Sequence, residues 1–121
     1  MGAAIDYLSD LDRVAAAEHE AELLALATDR IQTIDRVKII GTAPEKASVL
    51  SFVLDGVHAH DVGTIVDQEG VAIRTGHHCT QPVMDFFGIP GTARACFSFY
   101  NTADEVDALV RAVGHVAKVF G

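Results

Sequence analysis

From Arg74 to Pro82 the chain reads RTGHHCTQP, so that Cys79 follows His77 and His78, with Arg74 and Gly76 just ahead of them. A thiol reacts as its thiolate, and neighbouring cations and hydrogen-bond donors favour that form. Arg74, His77 and His78 supply such groups within five residues of Cys79. Gly76 permits a sharp exit of the backbone from a strand, and Pro82 suits the first turn of a helix starting behind the cysteine. The thiol would then sit on an exposed loop. The competing reading is a small hydrophobe that only packs, as most free cysteines do. Loop setting and flanking charge favour the nucleophile.

Other residues offer weaker chemistry. His58, His60, His77, His78, Cys79 and Cys96 include zinc-ligand types, but adjacent His77, His78 and Cys79 would strain to converge on one ion. Neither a CxxC nor an HxxxH pair is present, so no metal site is expected. His58 and His60 are expected to bond loop backbone at a helix start, where Asp61 complements the dipole. Arg94 stands on a strand otherwise rich in small and aromatic residues, and its guanidinium suits a carboxylate or phosphate. Taken alone, it reads by a narrow margin as an ordinary strand arginine, facing solvent or pairing with one of the 17 acidic residues. Cys96 reads as packing, and Glu18, Glu20, Glu22 and Asp29 as the solvated face of a helix.

These groups need a scaffold, and 121 residues suffice for one domain with one core. The net charge of −8, without a Lys/Arg cluster, excludes a nucleic-acid or anionic-membrane surface as the expected partner. No apolar run is long enough to span a bilayer, and Asp6, Asp10 and Asp12 occupy the place of a signal peptide's positive charge. A soluble, cytoplasmic protein with both cysteines reduced is expected.

Apolar residues Leu11, Val14, Leu23, Ala27, Ile31 and Ile34 predict one long amphipathic helix over about 10–33, capped at Ser9-Asp10. RVKII and ASVLSFVL predict two antiparallel strands across a turn containing Gly41 and Pro44. AHDVGTIVDQEG predicts a helix ending at Gly70, before a strand at VAIR. VMDFFGIPG predicts a short helical turn, and ARACFSFY a strand with Arg94 and Cys96 on one face. Thr102 and Glu105 predict a capping box for a last helix with its stripe at Val106, Leu109, Val110, Val113, Ala117 and Phe120. The fold class expected is α+β, a small antiparallel or mixed sheet with helices packed on one face. MGAAIDYL already has helical composition at residue 3 with no cap before it, as in a piece of something longer.

RTGHHCTQP and ARACFSFYNT, with HAHDVGTIVDQEGVAIR leading in, resemble the C-terminal domain of a group II, SufS-like cysteine desulfurase of the class-V aminotransferase fold family. The likeness runs over essentially all 121 residues, and its specific mark is RTGHHC with an arginine fifteen positions beyond the cysteine. It implies that residues 1–121 form the C-terminal small domain of a fold-type I pyridoxal 5'-phosphate enzyme. The large domain, with the Schiff-base lysine and most cofactor contacts, is expected to lie outside this chain. In such enzymes the residue matching Cys79 takes sulfur from L-cysteine as a persulfide, L-alanine leaves, and the sulfur passes to an acceptor protein for iron–sulfur cluster assembly. The resemblance gives Arg94 the substrate carboxylate, and Arg74, Gly76, His77 and His78 the shaping of the loop. It implies a homodimer for the full-length protein. Cys96 stands where the family commonly has serine. Lys38, Lys46 and Lys118 lie in no glycine-rich phosphate-binding context, so the isolated chain is expected neither to hold the cofactor nor to turn over cysteine. The alternatives are a non-enzymatic sulfur-transfer or docking module and a selenocysteine lyase-like domain.

Overall fold

Along Val49–Leu54 every second side chain is buried: Leu50, Phe52 and Leu54 point one way, Val49, Ser51 and Val53 the other. This period-2 alternation is that of a strand with one face on a core. The computed structural model describes all 121 residues. Its elements run α1 (Gly2–Ser9), α2 (Arg13–Ile31), β1 (Val37–Ile40), β2 (Val49–Leu54), α3 (Ala59–Gln68), β3 (Arg74–Gly76), α4 (Gln81–Phe87), β4 (Thr92–Cys96) and α5 (Ala103–Val119). The strands form one sheet in the order β1-β2-β4-β3, antiparallel at every pairing. Of the two sheet types expected from the sequence, the antiparallel one is found.

The core lies between the sheet and α2, α3 and α5. Leu23, Ala27 and Ile31 of α2, Val62 and Val66 of α3, and Val106, Leu109, Val113 and Val116 of α5 close over Leu50, Phe52, Ala93 and Ala95. α5 starts at the expected capping box, with the Thr102 and Glu105 side chains each taking the other's backbone N–H. Hydrogen bonds from the Asn101 side chain and the Thr102 N–H hold the Glu105 carboxyl below its ordinary range. α3 ends as expected: Gly70 takes a positive φ, and the Gly70 and Val71 N–H groups close back on Asp67 and Val66 as a Schellman motif.

Three expectations are corrected. The long N-terminal helix is two helices, because the Asp12 carboxylate accepts the N–H groups of Val14 and Ala15 and caps α2 there; Ser9 instead donates to the Ile5 carbonyl. Val14 therefore lies in the first turn of α2, short of the core, and is 69% exposed. The VAIR strand starts only at Arg74, since Val71 is still engaged in closing α3. The ARACFSFY strand stops at Cys96, where the Asn101 side chain accepts the Ser98 N–H and turns the chain. α4 departs from the helix layer and lies on the opposite face of the sheet, where Met84 is buried near Ile40 and Ser51. No helix is long and apolar enough to cross a membrane.

Candidate active site

Strand register aligns Ile40, Ser51, Arg94 and Arg74 in one row across all four strands, on the face away from the helix layer. With α4, Ile40, Ser51 and Arg94 of this row border a cavity of about 210 Å³, lined also by Thr92, His78, Thr80 and Met84. Arg94 and Arg74 are direct cross-strand partners. Like charges in that position repel, so an acidic neighbour would be the ordinary remedy. The chain has 17 acidic residues, yet its ion pairs are Arg30–Asp107 and His115–Glu69. Arg94 Nε is sealed from water and has no acceptor. A guanidinium kept unpaired beside a cavity is suited to an anion arriving from outside.

The Cys79 turn borders the same cavity through His78 and Thr80. Gly76 leaves β3 at φ 123°, and His78 and Cys79 follow at 55° and 57°. For side chains other than glycine the left-handed region costs about 1–2 kcal/mol per residue, so this turn must be held by contacts. The Cys79 N–H donates to His77 Nδ1 at 3.1 Å. The His77 carbonyl accepts from the Thr80 N–H at 2.9 Å and from Thr80 Oγ1 at 2.7 Å. His78 Nε2 reaches Thr92 Oγ1 at 3.0 Å and the Thr92 carbonyl at 3.2 Å. Removal from water keeps the His78 imidazole below its ordinary titration range; the Thr92 carbonyl opposes this, and the charges of Arg94, Arg74 and His77 reinforce it. Cys79 itself is a free, exposed thiol, and only Thr80 separates it from α4, which has Pro82 in its first turn.

The residues singled out in RTGHHCTQP are thus brought to one edge of the sheet, together with Arg94. The zinc candidates are not brought together: no three histidine, cysteine, aspartate or glutamate side chains converge anywhere. His58 Nδ1 accepts the His60 N–H at the start of α3, in its expected backbone role. Cys96 is exposed at the end of β4. Sequence reasoning missed Thr92 and Gly91. Extending the alternation of β4 by one step places Thr92 on the Arg94 face, which was the available signal. Gly91 has none in the sequence: it is needed because a Cβ there would lie 2.9 Å from the Gly76 carbonyl oxygen.

A model of the family described as Aminotransferase class-V matches residues 1–109. A probable cysteine desulfurase of Xylella fastidiosa (strain Temecula1) is 42% identical over 121 residues, which are all of this chain and 29% of that protein. A cysteine desulfurase of Serratia proteamaculans is 46% identical over 121 residues, 30% of its length. The crystal structure of the Escherichia coli cysteine desulfurase CsdA superposes with a TM-score of 0.89 at 35% identity, over 97% of this chain and 29% of that one. A cysteine desulfurase of Thermococcus onnurineus gives 0.89 at 32% identity, over 95% and 29%. The chain therefore spans about three-tenths of the length of the relatives it matches.

Proposed function

Because the chain belongs to the class-V aminotransferase family, we propose that it is the sulfur-accepting part of a cysteine desulfurase. Arg94 binds the carboxylate of L-cysteine, and Cys79 receives the sulfur. The observation that carries this reading is the unpaired Arg94 beside a cavity that the Cys79 turn also borders. The Cys79 thiolate forms the S–S bond of a persulfide as the substrate's C–S bond breaks. The electron pair of that bond stays with the carbon skeleton, which leaves as L-alanine after protonation. Arg94 orients the substrate by a two-pronged contact with its carboxylate, and Arg74 adds positive potential for the anion and the thiolate.

Pyridoxal 5'-phosphate, which the family implies, supplies the electron-accepting chemistry of the reaction. The residues of this chain do not fit as its holder. Neither Lys38, Lys46 nor Lys118 borders the Arg94 cavity, and Lys46 instead donates to the Gly41 carbonyl. The lysine and phosphate contacts are accordingly assigned to sequence outside these residues, in a full-length homodimer. The single residue between Cys79 and α4 supports the SufS-like branch, in which a dedicated acceptor protein takes the sulfur towards iron–sulfur cluster assembly. Two free thiols suit a reducing, cytoplasmic setting.

The test joins this chain to the lysine-bearing domain of a relative and follows alanine release from L-cysteine. Cys79→Ala is expected to abolish turnover, and undiminished turnover in that variant would overturn the assignment. Given pyridoxal 5'-phosphate and L-cysteine, the 121-residue chain alone is expected to release no alanine.

A further inference from the structure

The hydrogen bonds that shape the Cys79 turn are of two kinds. Those made by His77 join residues no more than three apart, so they set the turn's internal shape without fixing it to anything. The contact of His78 with Thr92 spans fourteen residues and ties the turn to the first residue of β4, two positions before Arg94. Thr92 is 1% exposed and is the one polar residue buried in the fold. A buried hydroxyl is retained only where it has a partner, and His78 is the side chain that meets this one. Gly91 brings the backbone of the turn's entry against the start of β4, so the two segments already lie in contact.

The Thr92 carbonyl can only accept, so it is bonded in the tautomer that carries the proton on Nε2, whereas the Thr92 hydroxyl can bond Nε2 in either tautomer. In the other tautomer the Thr92 hydroxyl would donate to Nε2, but the Nε2 lone pair would also face the Thr92 carbonyl and Nδ1 would become a buried N–H without an acceptor. Nδ1 has no partner in the structure, and a bare acceptor is tolerated there more readily than an orphaned donor. The depressed titration of the ring agrees with a neutral imidazole.

We propose that Thr92 and His78 are positioning residues, a latch that registers the Cys79 nucleophile against the Arg94 carboxylate clamp. The latch rests on the roles given above to Cys79 and Arg94, and it adds Thr92, whose side chain is bonded to His78. Its strand carries the clamp, its hydroxyl and carbonyl hold His78, and His78 is bonded through the backbone to Cys79. Without the latch the left-handed pair at His78 and Cys79 is free to relax to ordinary backbone conformations, and the thiol loses its fixed distance from the bound substrate.

The test uses the 121-residue chain, labelled with ¹⁵N-histidine, as wild type, Thr92→Val and Thr92→Ser. Long-range ¹H–¹⁵N spectra of the wild type should show His78 protonated at Nε2 and bare at Nδ1. Amide exchange at Cys79 and Thr80 should accelerate about tenfold or more in Thr92→Val, while Thr92→Ser stays close to wild type. If Thr92→Val does not fold, His78→Leu against His78→Gln repeats the comparison from the other side, since glutamine keeps a donor and leucine does not. Unchanged exchange in the variant that lacks the latch, or failure of serine to rescue, would overturn the proposal. In the joined enzyme, Thr92→Val should lower kcat about tenfold with little change in KM; an unchanged kcat would overturn it equally. The spectra and exchange rates require no turnover. A Cys79→Ala enzyme that still released alanine would therefore remove the desulfurase reading and leave the latch to be decided separately.

Discussion

At the scale of single residues, the site is defined as much by missing partners as by contacts. Arg74 and Arg94 face each other across β3 and β4, and neither takes part in either ion pair of the chain. The sequence could not show this, because any of 17 acidic residues was a credible partner for Arg94 until the fold placed them elsewhere. What was legible was the setting of Cys79, an exposed turn between Gly76 and the helix that Pro82 opens. The proposed clamp gives a direct prediction. Arg94→Lys keeps the charge but loses the planar fork, and a carboxylate held by two parallel hydrogen bonds should then be held by one point charge. In the joined enzyme, KM for L-cysteine is expected to rise about 10–100-fold, or about 1.4–2.8 kcal/mol of binding, with a smaller effect on kcat. Steady-state kinetics decide it, and an unchanged KM would show that the carboxylate goes elsewhere.

At the scale of elements, the positions of two glycines have opposite consequences. Gly91 meets the backbone of Gly76, with the oxygen, the carbonyl carbon and Cα of Gly76 all within 3.2 Å of the point where an alanine methyl would stand. Backbone cannot rotate aside as a flexible side chain can, so Gly91→Ala should destabilise by about 1–3 kcal/mol through separating β4 from the exit of β3. Gly114 lies within α5 with open space where its Cβ would be, and Gly114→Ala should stabilise by about 0.5–1 kcal/mol through helix propensity. Urea unfolding of both variants measures the pair, and equal midpoints would refute the packing account. Element type was readable wherever periodicity was strong, as in β2, α3 and α5. Boundaries failed where a single polar side chain decided them: Asp12 as the cap of α2, and Asn101 as the stop after β4. Such choices depend on which of several eligible caps the packed helix or strand leaves available. Ser9, Asp10 and Asp12 were indistinguishable as candidates by type. The placement of α4 on the far face was unreadable for a related reason, since seven residues with four large apolar side chains carry no usable periodicity.

At the scale of the whole molecule, the accessible surface is 7617 Å² for 12.9 kDa. Surface scaling for compact monomers gives about 6,300 Å² at this mass, leaving roughly 1,300 Å² in excess. That is close to what a standard protein–protein interface buries in total. The excess is apolar in two places. α1 buries none of its residues, and Ile5, Tyr7 and Leu8 are 56%, 59% and 49% exposed, with Tyr7 against Phe99 and Phe99 against Tyr100 continuing the patch. Val83, Phe86 and Phe87 make the second patch on α4, where Phe86 is 82% exposed. Apolar area of this kind drives association, opposed here by a net charge of −8 whose repulsion salt screens. The 121-residue chain is therefore expected to self-associate in sedimentation velocity at concentrations of tens of micromolar, and more strongly at about 0.5 M than at about 0.05 M salt. Ile5→Glu with Leu8→Glu should shift the distribution towards monomer without lowering the unfolding midpoint, because neither side chain contributes to the core. A wild-type chain that stays monomeric across that range would overturn the expectation that these apolar patches drive association.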